Sequence, residues 1–262
     1  MGGISGKGLT LHGSKGNPGI RIWETPSGIM NSIGLENPGV AAFVQNQSRA
    51  MRALGPAVLA NLGGHCEEDY TEGARLLNEA DIDILELNIS CPNIKDGGMA
   101  FGASPALAAG ITAKVKAVTR HPLLVKLTPA AGDITAVAKA VEDAGADGVS
   151  LVNTFLAMAI DVKSRRPVFD NTYAGLSGPA ILPIALRMTH QTAKAVRIPV
   201  VGMGGIATAE DALMFLMAGA TAVQVGTATF TNPNAMLDII NGLEAYCAQQ
   251  NLKNIGEIKG II

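Results

Sequence analysis

The segment IDILELNISCPN, residues 82–93, joins an apolar stretch to a cluster of polar and reactive side chains. Its first part, 82–89, alternates and is rich in residues that favour β-structure, so it predicts a strand that ends near Ser90. In parallel α/β proteins, the loops that leave the carboxyl ends of strands build the active site. The segment therefore predicts a strand that carries functional groups at its carboxyl end.

Cys91 is the reactive side chain of this segment, and a lone cysteine has two interpretations. A free cysteine is more often a small buried hydrophobic residue than a nucleophile or a base. Here Asn88, Ser90 and Asn93 crowd amide and hydroxyl groups around the same turn, and burying such groups without partners costs about 1–3 kcal/mol each. These polar neighbours favour a functional loop, with Cys91 as the candidate catalytic thiol.

The rest of the chain alternates strand-like and helix-like segments on either side of this strand. Predicted strands span 4–10, 56–62, 82–89, 122–127, 148–153, 198–202 and 222–226. Predicted helices span 39–54, 67–80, 104–119, 133–144, 179–196, 208–218 and 234–249. Strands that alternate with helices of about 10–15 residues predict βαβ units around a parallel sheet. Polar or glycine-bearing loops after the strands favour a TIM (β/α)8 barrel within the α/β class.

Composition limits the kind of protein and its partners. The chain has 262 residues, of which 48% are hydrophobic, and this is enough for one large core. The formal net charge is -2 and 16% of the residues are charged, so we expect a small-molecule partner and no nucleic acid. The sequence shows neither a signal-peptide pattern nor an apolar run of about 18 residues, so we expect no membrane contact and a cytoplasmic location.

The cysteines and histidines do not form a metal-binding pattern. Cys66, Cys91 and Cys247 are isolated, and none belongs to a CxxC pair. They cannot make a disulfide framework, or a four-ligand zinc or iron–sulfur site by themselves. The four histidines are scattered without metal-ligand spacing. We therefore expect no metal site, with Cys66 and Cys247 in helical or capping positions.

Glycine loops follow the last two predicted strands. They contain Gly204 with Gly205, and Gly226 with Thr227. TIM barrels often bind phosphate with the loops after these strands, because glycine lets backbone amides approach the anion closely. Gly178, at the start of a predicted helix, adds a third set of amides. The pattern predicts a phosphate site.

Lys126 closes the apolar segment LLVKL, residues 123–127. A lysine that points into a barrel is rarely structural, since burying an ammonium group without a partner is costly. An anionic cofactor would supply that partner. Lys126 is therefore a candidate cofactor-binding residue.

The motif ELNISCPN at 86–93, followed by GGMAFG at 97–102, resembles the catalytic loop of the dihydroorotate dehydrogenases. The likeness is to the class 1B catalytic subunits and extends along almost the whole chain. It implies an FMN-binding barrel that oxidises dihydroorotate to orotate in pyrimidine biosynthesis. It also implies that Cys91 is the general base, which takes the proton from C5 while hydride passes from C6 to FMN.

The resemblance further implies which residues hold the two small molecules. The implied substrate-binding residues are Lys7, Asn31, Ile33, Gly34, Leu35, Asn88, Asn153 and Thr154. The implied cofactor-binding residues are Lys7, Asn61, Asn88, Lys126, Val152, Gly178, Gly204, Gly205, Gly226 and Thr227. Without the resemblance, Lys7 is a solvated surface lysine. Residues 27–39 are then an ordinary loop, because they are full of turn formers.

The count of strands has a consequence for the barrel. We predict about seven strands, whereas the (β/α)8 barrel needs eight. By the resemblance, the chain opens on the second barrel strand of the family. We therefore expect residues 1–262 to form a single FMN-binding barrel domain that lacks its first strand.

Class 1B enzymes transfer electrons to NAD through a second subunit. The resemblance therefore implies a partner that carries FAD and a 2Fe–2S cluster, around a homodimeric core of this chain. The isolated cysteines and the lack of a dinucleotide fingerprint agree with electron exit through another subunit.

Two other functions stay open at this point. A similar loop, with Cys after Asn-x-Ser, occurs in the flavin domain of dihydropyrimidine dehydrogenase, although GGMAFG and the segment SGIMNSIGL favour dihydroorotate. The chain could also be a catalytically impaired phosphate-binding barrel that acts as an assembly partner. Bound yellow flavin would separate an enzyme from such a partner.

Overall fold

The structure, a computed structural model, describes residues 1–90 and 101–262. The chain divides into two compact units. Unit 1 comprises Met1–Asn17 and Ile33–Val149, and unit 2 comprises Pro18–Ser32 and Ser150–Ile262. None of the described helices is both long enough and apolar enough to cross a membrane.

Strands and helices alternate along most of the described chain. The strands are β1 (Gly3–Ser5), β2 (Ile22–Thr25), β3 (Gly28–Asn31), β4 (Ala57–Leu62), β5 (Ile84–Asn88), β6 (Leu123–Lys126), β7 (Gly148–Leu151), β8 (Phe155–Met158), β9 (Ile160–Asp161), β10 (Arg166–Pro167), β11 (Tyr173–Ser177), β12 (Val200–Met203) and β13 (Ala222–Gln224). The helices are α1 (Val40–Ala42), α2 (Ser48–Arg52), α3 (Glu67–Leu77), α4 (Pro105–Lys116), α5 (Ile134–Asp143), α6 (Leu182–Ala195), α7 (Ala209–Met217), α8 (Ala228–Thr231) and α9 (Ala235–Gln249). A π-helical segment, Phe43–Gln47, joins α1 to α2, and 3-10 segments span Phe101–Ala103, Pro179–Ile181 and Ile255–Ile258.

The parallel strands confirm the predicted α/β class. In unit 1 their order is β1-β4-β5-β6-β7, and in unit 2 the second half of β7 is followed by β12 and β13. These are the seven strands that the sequence predicts, and each connection between consecutive members contains a helix. This succession is that of a TIM (β/α)8 barrel with seven of its eight strands among the described residues.

β1 is shorter than the predicted strand at 4–10, because its pairing with β4 is interrupted. Ser5 lies opposite Leu59, but Leu9 forms an isolated bridge with Leu62. Four steps along one chain (9 − 5) therefore match three along the other (62 − 59). The extra residue falls in the segment 6–8, GKG, where glycine permits a bulge.

β5 has one apolar and one polar face. Leu85 and Leu87 are fully buried on one side, and alternation places Glu86 and Asn88 on the other. Each buried leucine contributes about 1.5–3 kcal/mol to stability. The apolar face therefore holds the strand in the core, and the opposite face is available for polar side chains.

Unit 2 contains an antiparallel sheet that the sequence analysis does not predict, with the strand order β2-β3-β11-β8. β2 and β3 form a hairpin, so the prediction of a loop over 27–39 is wrong for Gly28–Asn31. Asn31 of β3 and its partner on β11 are 144 residues apart in the chain, a pairing that no local pattern reveals. The small core of this sheet contains Met30, Val168, Phe169 and Ala174.

Side-chain caps begin α5 and α7, two of the helices that alternate with the parallel strands. Asp133 accepts hydrogen bonds from the N–H groups of Thr135 and Ala136 at the start of α5. Thr208 and Asp211 form a reciprocal capping box at the start of α7. Each such cap contributes about 1 kcal/mol, which explains why both helices begin within one residue of the predicted position.

Two aspartates bind a neighbouring strand in the same way, each directly before a parallel strand. Asp83 precedes β5; its N–H donates to the Val58 carbonyl over 2.9 Å, and its carboxylate accepts from the Val58 N–H over 2.7 Å. Asp147 precedes β7 and makes the same pair of bonds to Leu123, over 2.9 and 2.7 Å. Both aspartates therefore extend the ladder at the amino ends of the strands.

Nearby cations help to lower the pKa of both of these carboxylates. The Arg52 guanidinium, followed by the Val58 N–H, lowers the pKa of Asp83. Burial raises the pKa of Asp147, but its bonds to the Lys116 ammonium and the Leu123 N–H outweigh burial, so that the pKa is lowered overall.

Candidate active site

Cys91 and the rest of the predicted catalytic loop up to residue 100 lie outside the described residues. The described segments on either side of this stretch are tied to each other. The Gly102 N–H donates to the Ile89 carbonyl over 2.8 Å. A Cβ on Gly102 would lie 3.1 Å from the same carbonyl oxygen, so a side chain there would crowd this closure.

Tyr70 of α3 contacts both of these segments, at Asn88 on one side and at Phe101 on the other. Its hydroxyl donates to the Asn88 carbonyl over 2.8 Å, and its ring meets Phe101 edge to face with centroids 5.4 Å apart. The Asn88 side-chain oxygen accepts from the Ser90 N–H over 3.3 Å. Tyr70 is fully buried, so the end of β5 is held by a side chain that the sequence analysis does not single out.

Unit 1 carries a layer of polar residues near the carboxyl ends of β4, β5 and β6. Asn61 is the register partner of Glu86, and Asn88 is the partner of Lys126. Glu86 and Asn88 are two residues apart on one strand, so the four side chains share one face of the sheet. Asn61, Glu86 and Asn88 are buried, and Lys126 is mostly buried, with 19% of its side chain exposed.

Glu86 is the centre of this layer and is not among the residues predicted from the sequence. It is 1% exposed, and one carboxylate oxygen, Oε2, accepts from Asn61 Nδ2 over 2.6 Å. The same oxygen lies 3.9 Å from Lys126 Nζ. A buried carboxylate is costly unless it is paired and hydrogen-bonded. The available signal was a carboxylate between two leucines, Leu85 and Leu87, in a predicted strand.

The segment that carries Lys7 runs along β4 next to this layer. The Leu9 N–H donates to the Asn61 carbonyl over 2.8 Å, and the Gly63 N–H donates to the Leu9 carbonyl over 2.8 Å. A Cβ on Gly8 would lie 2.8 Å from Asn61 Oδ1, so the segment needs glycine to pass this amide. Lys7 is exposed, and the backbone on both sides of it is held against β4.

The predicted substrate loop at 33–35 has a defined backbone. Gly34 and Leu35 both have positive φ, +72° and +53°. The Asn17 N–H donates to the Ile33 carbonyl over 3.0 Å, and the Ser14 hydroxyl donates to the Gly34 carbonyl over 3.1 Å. The loop is therefore held by residues of unit 1 that the sequence analysis does not name.

Asn37 is one of the residues that hold this loop. Its Nδ2 donates to the Leu35 carbonyl over 2.6 Å and to the Thr10 hydroxyl over 2.9 Å. Its Oδ1 accepts from the N–H groups of Thr10 and Gly39, over 3.0 and 2.8 Å. This buried amide uses both its donor and its acceptor to fix the strained backbone at 34–35.

Asn31 lies in unit 2, on β3 of the antiparallel sheet. It pairs with Gly175 of β11, and its Nδ2 lies 3.5 Å from the Gly175 carbonyl, at the limit of a hydrogen bond. A Cβ on Gly175 would lie only 2.2 Å from the Thr154 hydroxyl, so glycine makes room for Thr154 beside β11. Two predicted substrate residues, Asn31 and Thr154, therefore lie around one glycine.

Val152 and Asn153 complete this part of unit 2, directly after β7. The buried Val152 donates its N–H to the Met203 carbonyl at the end of β12, over 3.0 Å. The Asn153 side-chain oxygen accepts from the Thr154 N–H over 2.8 Å. This bond orients the Asn153 amide at the carboxyl end of the strand.

The three predicted glycine loops of unit 2 meet each other. Gly178, Gly204 and Gly205 all have positive φ, +98°, +128° and +81°. A Cβ on Gly205 would lie 2.9 Å from the Gly178 carbonyl oxygen and 2.6 Å from Leu182 Cβ. A Cβ on Gly178 would lie 3.4 Å from Thr227 Cγ2. The three loops therefore pack closely against one another, with no space for a side chain at Gly178 or Gly205; this arrangement is called the glycine cradle below.

The third loop is fixed by hydroxyl groups. Thr227 Oγ1 donates to Ser177 Oγ over 2.9 Å, and Ser177 Oγ donates to the Ile29 carbonyl over 3.3 Å. Apart from its two chain neighbours, no described residue has an atom within 4 Å of the position that a Cβ on Gly226 would take. The backbone of this loop is therefore anchored on one side and open on the other.

The predicted residues thus form two sets, one in each unit. Unit 1 holds Lys7, Ile33, Gly34, Leu35, Asn61, Asn88 and Lys126, together with Glu86. Unit 2 holds Asn31, Val152, Asn153, Thr154, Gly178, Gly204, Gly205, Gly226 and Thr227.

The other two cysteines occupy the helical contexts that the sequence predicts. Cys66 is the residue before the first turn of α3, and Cys247 lies in α9. Burial raises the pKa of the Cys66 thiol, which disfavours the reactive thiolate.

Comparisons with known proteins agree with the sequence motif. The family described as dihydroorotate dehydrogenase matches residues 1–247. A protein of Petrotoga mobilis called dihydroorotate dehydrogenase B (NAD(+)), catalytic subunit, is 48% identical over 262 residues, which is 100% of this chain and 87% of that protein. Proteins of the same name from Thermoanaerobacter pseudethanolicus and Desulforamulus reducens are 50% and 51% identical over 99% of this chain and 86% of their own length.

Proposed function

The chain belongs to the dihydroorotate dehydrogenase family, and we propose that it is a catalytic subunit that oxidises dihydroorotate to orotate in pyrimidine synthesis. FMN is the proposed cofactor, and the proposed location is the cytoplasm. The observation that carries the proposal is the buried polar layer around Glu86 at the carboxyl ends of β4 to β6. Two members of this layer, Glu86 and Asn88, belong to the motif that also holds Cys91.

The described residues fit FMN in two respects. The glycine cradle of unit 2 brings loops without side chains close to one another, and exposed backbone amides in such loops suit a phosphate group. Lys126 supplies a mostly buried cation for an anionic ring edge. The residues proposed to hold FMN are Lys7, Asn61, Asn88, Lys126, Val152, Gly178, Gly204, Gly205, Gly226 and Thr227.

The proposed substrate residues match the chemistry of dihydroorotate, which carries a carboxylate and ring amides. Asn31, Asn88 and Asn153 offer amide donors and acceptors for the ring. Lys7 supplies a positive charge, and the backbone of Ile33, Gly34 and Leu35 closes over the carboxylate. Thr154 adds a hydroxyl beside Asn153. The bonds that hold the 33–35 loop and orient Asn153 support their role as preorganised contacts.

Cys91 is the proposed general base, and it takes the proton from C5 of dihydroorotate. Bound FMN would supply the redox chemistry, as the acceptor for the hydride from C6. A thiol with an ordinary pKa of about 8.5 is mostly protonated at neutral pH, so the rate should rise with pH unless the loop favours the thiolate. Tyr70 and Gly102 support this role, because they hold the segments on both sides of residues 91–100.

The proposal includes a partner subunit that carries FAD and a 2Fe–2S cluster, around a homodimeric core of this chain. The names of the relatives support it, since they specify a catalytic subunit and NAD(+). The sequence has three cysteines, Cys66, Cys91 and Cys247, which are too few for a four-ligand cluster. Alone, the chain should reduce a dye acceptor but not NAD.

The test is an anaerobic addition of dihydroorotate to the purified protein. We expect a yellow protein whose flavin absorbance bleaches, with orotate as the product. Dihydrouracil serves as the matched control, because it has the same ring without the carboxylate. Bleaching by dihydrouracil alone would favour the dihydropyrimidine dehydrogenase alternative, and a protein that cannot bind FMN would contradict the enzyme proposal.

A further inference from the structure

We propose that Glu86 is a positioning residue of the flavin site, which fixes the amide of Asn61 and balances the charge of Lys126. In this role it sets both the affinity for FMN and the reduction potential of the bound flavin. The inference rests on the proposed function, because it takes FMN to be the ligand of Asn61 and Lys126.

The first step concerns the orientation of the Asn61 amide. An ionised carboxylate can only accept hydrogen bonds, so it must receive the NH2 group of an amide and never its oxygen. Glu86 Oε2 lies 2.6 Å from Asn61 Nδ2, and both side chains are buried. Glu86 therefore fixes which end of the Asn61 amide faces away from it. The end presented to a ligand is the acceptor, Oδ1.

Gly8 passes directly beside that acceptor and has no side chain to cover it. A Cβ on Gly8 would lie 2.8 Å from Asn61 Oδ1, too close for any side chain. The Asn61 backbone is held at the same place by the Leu9 N–H, over 2.8 Å. An acceptor in a fixed position, with no side chain at the neighbouring Gly8, can accept a hydrogen bond from the N–H group of a planar heterocycle. The imide N–H of the flavin ring has this chemistry.

The second step concerns charge. Lys126 Nζ and Glu86 Oε2 are 3.9 Å apart, which is beyond hydrogen-bonding distance but close enough for a strong interaction where little water is present. The side chains are 19% and 1% exposed. Lys126 favours the reduced flavin, which is the more negative form, and Glu86 opposes it. The pair therefore holds the potential between the values that each charge alone would give.

The decisive measurement is the reduction potential of FMN bound to the Glu86→Gln variant, by titration against reference dyes. Glutamine keeps the shape and removes the negative charge, so the potential should shift to more positive values than in the wild type. Lys126→Ala should shift it to more negative values. A general loosening of the structure would not produce opposite signs. Glu79→Gln makes the same change at an exposed position and should leave the potential unchanged.

The Glu86→Asp variant isolates the effect on the amide. Aspartate keeps the charge but is one methylene shorter, so it cannot hold Asn61 Nδ2 at the same place. We expect a potential close to that of the wild type and a several-fold higher Kd for FMN. If Glu86→Gln does not fold, this variant decides: FMN affinity equal to that of the wild type would overturn the proposal.

The outcomes separate this inference from the proposed function. A wild-type protein that binds no FMN would overturn both. A wild type that binds FMN, beside a Glu86→Gln variant with the same potential and affinity, would overturn the role of Glu86 alone. A positive shift in Glu86→Gln and a weaker Kd in Glu86→Asp would support it.

Discussion

Tyr70 donates its hydroxyl hydrogen bond to the backbone carbonyl of Asn88 over 2.8 Å from a fully buried position on α3. The same ring meets Phe101 edge to face, with centroids 5.4 Å apart. Asn88 lies before residues 91–100 and Phe101 follows them directly. One side chain therefore contacts the two segments that flank the stretch with Cys91.

Tyr70→Phe should lower the free energy of unfolding by about 1–3 kcal/mol, because the buried Asn88 carbonyl loses its donor while the ring stays. We also expect slower reduction of the flavin by dihydroorotate, since the end of β5 is less well fixed. Urea denaturation and stopped-flow bleaching measure the two effects. Tyr173→Phe, at a residue that is 54% exposed, is the matched control and should change neither. A Tyr70→Phe variant as stable as the wild type would contradict this account.

Cys91→Ser should keep FMN but slow its reduction by dihydroorotate by about 10²–10⁴-fold, the usual effect of removing a general base. A serine hydroxyl loses its proton far less readily than a thiol, so almost no anion is available to act as the base. Anaerobic stopped-flow bleaching of the flavin gives the rate, and the visible spectrum gives the FMN content. Cys247→Ser makes the same change in α9 and should bleach at the wild-type rate. Equal rates for Cys91→Ser and the wild type would remove Cys91 as the base.

Gly205→Ala should reduce FMN content and destabilise the protein. The backbone at Gly205 has φ +81°, which costs a residue with a Cβ about 1–3 kcal/mol. The new methyl would also lie 2.6 Å from Leu182 Cβ and 2.9 Å from the Gly178 carbonyl oxygen. The measurements are flavin stoichiometry and thermal unfolding. At Gly132 φ is not positive, and no described residue beyond its chain neighbours lies within 4 Å of the Cβ position, so Gly132→Ala should keep wild-type values. Normal FMN content in Gly205→Ala would argue against the glycine cradle.

Asp83 should make stability depend on acid pH. Its pKa is lowered in the folded state by Arg52 and the Val58 N–H, so its contribution is present above its unfolded pKa of about 3.9. That contribution is lost as the pH falls through the lower, folded pKa. Asp83→Asn should therefore be less stable than the wild type at neutral pH, with the difference shrinking in acid. Because the side chain is 40% exposed, solvent screening keeps the effect small.

Urea unfolding at a series of pH values measures this difference. Asp143→Asn, a similar change at an exposed helical position, provides the control and should run parallel to the wild type. A constant gap between Asp83→Asn and the wild type down to strong acid would show that the carboxylate charge is not what stabilises the strand.

The long periodic segments made most of the fold predictable. The helix predicted at 67–80 is Glu67–Leu77, and the strand predicted at 122–127 is Leu123–Lys126. In such segments local propensity and burial agree, so the type of element is clear and only the ends differ. The hairpin of β2 and β3 was missed because it depends on pairing with β11, far along the chain. Its Ile22 is also 53% exposed, which weakens the pattern of a buried face.

Residues of the candidate site could be predicted only where the residue type is unusual for its position in the sequence. Lys126 stands out as a charge at the end of an apolar strand. Glu86 also lies between apolar residues in the sequence, but its importance comes from its neighbours on other strands. Asn61 is 25 residues away and Lys126 is 40 residues away (126 − 86), and only the register of the sheet brings them together.

The paired bonds of Asp83 restrict how β5 can be aligned. Its N–H and its carboxylate both engage Val58, and only one alignment of β5 against β4 satisfies both. A slip of one residue would turn Leu85 toward the polar layer and push Glu86 into the apolar core. Asp83 therefore fixes the alignment of β5 from its amino end. This alignment determines which side chains of β5 face the polar layer near the carboxyl end, where a ligand would bind.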